Sequence, residues 1–336
     1  MTREVDLEAL RATFSIIAFK GEGILLNRIT GTLYRVNSSA LAVWTAMIAG
    51  ESIQGISAAL VRRFGLDSKS AEQDTLDALL GFPAPLPTAV PDCCVWKTTP
   101  NGYGLFDKTR LVCEVASRGE SLVWRAGVEP SASDAFINLN TVVPKLLALR
   151  GIGLLHASAV DVGGTLLVFC GKSGAGKTTS ARAFARTGCK LVSEDLLVLA
   201  TEPSGPAAVV GGEPVIRRWL SERKRLLAAR PDQSVTCGDL DGCLTGERIP
   251  LGRLLLLDAE RRQGSQIAAS RLATADAMAA LTESAYFAST DATTWEVTLQ
   301  RLASIARAVP VFRATMPSGL AELGAAAAPY KDTITS

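Results

Sequence analysis

Thr165-Leu-Leu-Val-Phe-Cys-Gly-Lys-Ser-Gly-Ala-Gly-Lys-Thr178 is an unbroken apolar run that feeds straight into a glycine-rich loop. The run 165–170, with Thr, Val and Phe in it, has the composition of a strand buried on both faces. Residues 171–178 fill every fixed position of G-x-x-x-x-G-K-[ST]. Thr179 to Arg186 then favour helix, and Gly188 stops it. Strand, loop and helix come in the order that a phosphate-binding loop needs. Gly171, Gly174 and Gly176 let successive N–H groups turn inward at the N-terminus of the helix, with Lys172, Ser173, Ala175 and Thr179 completing the lining. Lys177 can reach β- and γ-phosphates as a point charge, and the Thr178 hydroxyl suits a Mg²⁺ position. ATP and Mg²⁺ are the expected cofactors. An accidental glycine-rich turn would not bring the flanking strand and helix with it.

Downstream, the apolar run 190–199 is interrupted by Ser193-Glu194-Asp195. Adjacent carboxylates inside an apolar run need a cation or a strand-end location, because burying either one unpaired is costly. A metal on nucleotide phosphates supplies that cation, and a free carboxylate here can take the proton of an attacking hydroxyl. A solvated turn is the alternative. His156, the single histidine, lies in a run (153–160) that reads as the strand preceding the phosphate-loop strand. Neighbouring strands place their ends together, so it is as much a site candidate as a packed core residue. In Glu213-Pro-Val-Ile-Arg-Arg218, Glu213 is a candidate metal ligand and Arg217 a candidate γ-phosphate clamp, against the reading of these charges as a solvated turn.

The chain has 336 residues, which implies more than one domain. Hydrophobic residues make up 48% and charged residues 20%, enough apolar material for buried cores. The net charge of +2 gives no electrostatic reason to expect nucleic acid or a membrane surface as partner. None of the seven cysteines forms a C-x-x-C pair, and one histidine cannot build the usual zinc spacings. Reduced thiols in the cytoplasm are expected. The N-terminus lacks a signal-peptide pattern and no apolar run reaches membrane-span length.

Ahead of the loop, residues 13–19, 23–27 and 31–36 read as short strands, with a turn at 28–31. Asn37 opens a helix to Ile48 with Leu41, Trp44 and Ile48 on one face; helices over 51–64 and 70–80 follow. Four prolines between 82 and 91 mark a linker. From 92 to 132 short β-like pieces alternate with turns; a helix is expected over 136–149. The C-terminal part reads as a strand over 249–258, helices over 274–288 and 294–308, a strand over 309–314, and a frayed alanine-rich tail to Ser336.

Two resemblances follow. Leu25-Leu-Asn27, Thr30-Gly31, Leu33-Tyr34, Val36-Asn37, Ala42-x-Trp44, Gly50 and the aliphatic helices with Phe64 and Asp74 resemble PqqD, the small peptide chaperone of pyrroloquinoline quinone biosynthesis. That resemblance implies a winged-helix-like domain that takes the leader of a ribosomally made precursor as an added strand. His156, the loop G-x-S-G-x-G-K-[ST] at 171–178 and Ser193-Glu194-Asp195 together resemble the HPr serine kinase family. This second resemblance implies an α/β P-loop kinase core that phosphorylates a serine with ATP: Glu194 as base, His156 beside it, Asp195 on the metal side with Thr178 and Glu213. The base is typically Asp in that family, so Glu194 departs from it by one methylene. The implied organisation is a PqqD-like recognition domain (1–82), a proline-rich linker (83–91), an HPr-kinase-like domain (92–330) and a tail (331–336). Tailoring kinases of lasso-peptide biosynthesis are the setting it resembles. The expected partners are a precursor peptide and ATP; the kinase family's rings also allow a homo-oligomer. The rival functions are an ATP-binding switch with no phosphoryl acceptor and a kinase of a small-molecule hydroxyl.

Overall fold

A computed structural model describes residues 5–19, 21–28, 33–82, 94–107, 109–125, 142–172, 174–202, 205–229, 232–285 and 292–335. Most of the turn at 28–31, the linker 83–91, Ser173 and the first part of the helix expected over 136–149 lie outside the described residues. The chain divides near residue 87 into two compact units.

The first unit begins with α1 (Leu7–Thr13), a helix with no counterpart in the sequence reading, capped by the Asp6 carboxylate. β1 (Phe14–Ala18), β2 (Gly23–Asn27) and β3 (Leu33–Val36) form an antiparallel sheet in that order, leaving β1 and β3 as edges. α2 (Ser38–Ile48), α3 (Ile53–Phe64) and α4 (Ser68–Leu80) each start at a side-chain cap: Asn37, Ser52 and Asp67 accept first-turn N–H groups. α3 stops at Gly65, whose left-handed conformation favours glycine. Trp44, 1% exposed, centres the core among Phe14, Leu25, Met47, Ile56 and Leu60; its Nε1 donates to the Ala78 carbonyl at 2.9 Å.

The second unit opens with β4 (Cys94–Thr99), β5 (Gly102–Asp107), β6 (Arg110–Ala116) and β7 (Ser121–Trp124). Then come α5 (Val142–Leu149), β8 (Gly153–Leu155), β9 (Ser158–Val162), β10 (Thr165–Cys170), α6 (Lys177–Arg186), β11 (Lys190–Ser193), β12 (Leu197–Glu202), β13 (Gly205–Val209) and α7 (Gly212–Ala229). β14 (Ser234–Thr236), a 3-10 segment (Gly238–Leu244), β15 (Arg248–Arg262), β16 (Ala268–Arg271), α8 (Thr274–Ser284), α9 (Ala292–Ala308), β17 (Val311–Pro317) and α10 (Leu320–Thr335) complete it. The pieces read between 92 and 132 become β4–β7, which β14 joins in a five-stranded sheet, β14-β7-β6-β5-β4.

The larger sheet runs β11-β9-β10-β15-β13-β12-β8, with β17 and β16 joined to the far end of β15. β10 is buried along Leu166–Cys170 and lies parallel to β15, which lies parallel to β17. Their C-terminal ends therefore share one edge, where open α/β sheets bind ligands. Phe169 and Phe184 of α6 pack at 5.3 Å between ring centres, fixing the helix that follows the loop against the strand that precedes it.

Three elements differ from the sequence reading. The run 153–160 is two strands, broken at His156, because β8 pairs with β12 while β9 pairs with β10 and β11. Glu213 and Arg217 stand in the first turns of α7 and not in a solvated turn. The alanine-rich end is α10 and not a frayed tail: Leu323, Ala326 and Ala327 are buried, and Tyr330 meets the edge of Phe184 at 6.2 Å. Alanine is the best helix former, and this buried face holds the helix despite Pro329 within it. Among the described residues no helix is long and apolar enough to cross a membrane.

Candidate functional site

Two chain crossings build the site. Between β8 and β9 the chain passes from one part of the sheet to another at His156–Ala157, and between β11 and β12 it does so at Glu194–Leu196. The crossings are laced together: Ser158 Oγ donates to the Glu194 carbonyl at 2.5 Å and Ser193 Oγ to the Ala157 carbonyl at 3.1 Å. His156 and the acidic pair thus become neighbours although 38 or so positions separate them in sequence.

The loop lies against the same crossing. Gly171, Gly174 and Gly176 have φ of +138°, +81° and +84°, a region that side chains disfavour. Gly176 is the N-cap of α6 and offers no side-chain cap, so the first-turn N–H groups face outward for an anion. Lys177 is 6% exposed, and its Nζ donates to the loop's own carbonyls, Gly171 O at 2.9 Å and Lys172 O at 3.2 Å. Burial lowers the Lys177 pKa, opposed by the Asp195 carboxylate. Beneath it, burial pushes the Cys170 thiol up to about 12, so that group stays neutral. Thr178 Oγ1 donates to the Glu194 carbonyl at 3.0 Å, joining the loop to the acidic crossing. Arg261, at the end of β15, donates to the Ala175 carbonyl on the loop's other side.

The two carboxylates diverge. Glu194 turns toward α6, where Arg182 holds it bidentately at 2.7 and 3.1 Å; that pair lowers its pKa. Asp195 Oδ1 lies 2.9 Å from His156 Nε2, and its Oδ2 accepts from Arg217 Nη2 at 2.9 Å. The hydrogen bond from His156, reinforced by Arg217 against partial burial, holds the Asp195 carboxyl at about 2. Glu213 stands behind this set, 9% exposed. Its Oε2 accepts from Ser193 Oγ and the Glu194 N–H, both at 3.1 Å, and its Oε1 accepts from Arg217 Nε at 2.8 Å. Arg217 is accordingly aimed by one carboxylate and bonded to another.

The structure therefore brings together Lys177, Thr178, His156, Asp195, Glu213 and Arg217. It places His156 beside Asp195 and not beside Glu194, because the side chains of consecutive residues leave the crossing in different directions. Glu213 is occupied by three donors, so it stands here as an organiser of Arg217 and the crossing rather than as an open metal ligand. Arg182, Ser158 and Arg261 went unread in the sequence. Arg182 shares a helix face with Thr178 four residues earlier, a signal that was available; Ser158 and Arg261 carry no local signal.

The residues fit a magnesium-bound nucleoside triphosphate. The half-charged cradle of glycine N–H groups, with a buried ammonium that has only loop carbonyls to bond, is suited to phosphate oxygens. The Thr178 hydroxyl is an oxygen donor of the kind Mg²⁺ takes, whereas both Asp195 oxygens are engaged by His156 and Arg217. Among the described residues no cluster of three or more His, Cys, Asp or Glu side chains could hold a metal. A magnesium ion held mainly by phosphates and water needs no such cluster.

Residues 22–80 match the family described as coenzyme PQQ synthesis protein D (PqqD), so the sheet and the three capped helices of the first unit are a PqqD domain. No curated protein matches the chain. Among solved structures, the HPr(Ser) kinase/phosphatase from Coxiella burnetii aligns over 54% of this chain and 97% of its own, at 10% identity and a TM-score of 0.25.

Proposed function

We propose that this protein is an ATP-dependent kinase that phosphorylates a serine, or a threonine, of a ribosomally made precursor peptide held by the PqqD domain. The observation that carries this reading is the Asp195 carboxylate, gripped by His156 and Arg217 beside the lysine of a phosphate loop. A cradle for phosphate alone would suit a switch. A positioned carboxylate with a histidine behind it adds a group able to accept a proton.

Mg·ATP supplies the transferable phosphoryl group and the cation that offsets its charge. The loop N–H groups and Lys177 hold the phosphates. Arg217 moves from Asp195 onto the γ-phosphate, where its fork can stabilise developing charge. That movement removes one of the two partners whose bonds depress the Asp195 pKa, so the carboxylate becomes a better base as the phosphate arrives. The acceptor hydroxyl gives its proton to Asp195 as its oxygen bonds to phosphorus and the bond to the ADP oxygen breaks. His156 keeps the carboxylate oriented. In this reading Asp195 takes the base role that the family resemblance implied for Glu194, and Glu194 anchors α6 through Arg182.

On the first unit, β3 is a free sheet edge to which an extended leader can add as a fourth strand. Tethering the leader raises the effective concentration of the acceptor segment at the loop, with no new contact there. A cytoplasmic setting suits both the ATP supply and the free thiols of Cys170, Cys189 and Cys243.

The test is to incubate the full-length protein with Mg·ATP and peptides encoded beside its gene, and to read peptide mass and ADP release. The expected result is a phosphopeptide that forms with wild-type protein and not with Asp195→Asn. Leader binding with no phosphate gained overturns the kinase reading in favour of a switch. ATP consumption that survives deletion of residues 1–87, with phosphate on a small hydroxyl compound, overturns the peptide acceptor.

A further inference from the structure

A cavity of about 290 Å³ opens beside the start of the phosphate loop, lined by Gly171, Lys172, Asp258, Glu283, Ser284 and Arg313 among others. It sits where β10 ends, beside Leu256–Asp258 in the middle of β15 and Arg313 of β17, against the last turn of α8. Cavities that take whole cofactors or drug-sized ligands run to roughly 300–1,000 Å³. This one is at the bottom of that range and suits a single long side chain. It also belongs to the neighbourhood of the proposed base, because the Ser284 carbonyl accepts from the His156 N–H at 2.7 Å and His156 holds Asp195.

Its chemistry favours a cation. Glu283 is half-buried and makes no ion pair or hydrogen bond among the described residues. It stands in the last turn of α8, where the helix carbonyls already make the field negative and a carboxylate is disfavoured. Asp258 adds a second carboxylate, bonded by Thr315 Oγ1 at 3.0 Å and facing Arg313 at 3.9 Å. Ser284 is 2% exposed, and its hydroxyl, beside the Cys170 thiol, has no oxygen or nitrogen partner. A buried hydroxyl left without such a partner is an acceptor waiting for a donor. Lys172 of the loop and Arg313, 3.9 Å from Asp258, line the cavity as well.

Resting on the kinase reading above, we propose that this cavity receives the side chain of a lysine or arginine next to the acceptor hydroxyl in the peptide, and that Glu283 selects it. The substrate class is then narrower than a serine peptide: it is one with a basic residue flanking the serine.

The experiment uses the full-length protein, Mg·ATP and a set of serine peptides in which each flanking position is varied in turn, supplied at high concentration so that no leader is needed. The expected result is about tenfold faster phosphorylation with Lys or Arg at one flanking position than with Ala, the order of one well-placed charge pair. Glu283→Gln is expected to bring that ratio close to one. Glu283→Lys is expected to turn the preference toward Asp or Glu, a gain that misfolding cannot produce. Equal ratios in wild type and Glu283→Gln, or no basic preference in wild type, overturn the pocket assignment while leaving the kinase standing. Phosphate on no peptide at all removes the kinase reading and this one with it.

Discussion

Replacing Asp195 by Asn separates the two carboxylates of the crossing. The substitution keeps the size of the side chain and one oxygen for Arg217 or His156, and removes the proton acceptor. A positioned general base contributes roughly 10²–10⁴ in rate, which is about 2.7–5.4 kcal/mol of barrier. Glu194→Gln breaks only a pair with Arg182 in which the two side chains are 40% and 60% exposed. Exposed pairs of that kind are worth up to ~1 kcal/mol, and their loss falls on stability rather than on the transition state. Asp195→Asn is therefore expected to lower kcat by at least about a hundredfold, and Glu194→Gln by less than about fivefold. The assay is single-turnover phosphoryl transfer at saturating Mg·ATP, with nucleotide affinity measured alongside on the same preparations. Affinity should hold in both variants, since neither change touches the glycine cradle or Lys177. If Glu194→Gln loses a hundredfold while Asp195→Asn stays within fivefold of wild type, the roles drawn from this geometry are wrong and the family pattern outweighs the observed pairing.

Three further outcomes follow from the same structure. Arg217→Ala takes away the guanidinium that, with the His156 hydrogen bond, holds Asp195 at about 2, so its carboxyl pKa rises toward 3.8 and the acid limb of the kcat/KM profile moves to higher pH; an unmoved limb would show that Arg217 does not act on the base. Because the folded pKa of Asp195 is depressed, its pairing stabilises the protein above about pH 3.8 and that contribution is lost as pH falls toward about 2. With the side chain 39% exposed, screening leaves at most ~1 kcal/mol, so wild type and Asp195→Asn should differ in unfolding free energy near neutral pH and converge at the acid end. Trp44→Ala empties the centre of the PqqD domain, an expected cost of about 3–5 kcal/mol. Leader binding is then expected to fail while nucleotide binding by the second unit persists, read by titrating each ligand separately.

The sequence by itself determined the local structure and much of the candidate chemistry. An apolar strand, a loop with glycines where φ is positive, and a following helix are short-range features, and each residue type answers a local demand. The cap Asn37 and the helical spacing of the apolar residues are equally local, and they placed the helices of the PqqD domain to within two residues, with the caps Ser52 and Asp67 seen only in the structure. The tertiary structure decided partnership. Which carboxylate meets His156 depends on two crossings, at His156–Ala157 and Glu194–Leu196, where the chain leaves one part of the sheet for another. Nothing near either segment encodes that pairing. Glu213 and Arg217, read either as a metal ligand and a phosphate clamp or as a solvated turn, became a buried organiser and its guanidinium only when α7 docked its first turns on the second crossing. Likewise the cavity at Glu283 exists only because the end of β10, the middle of β15 and α8 come together in the tertiary structure. Backbone conformation is set within a few residues, whereas the environment of a charge is set by every element packed around it. That is why a glycine-rich loop with positive φ could be read from its own residues and the partner of His156 could not.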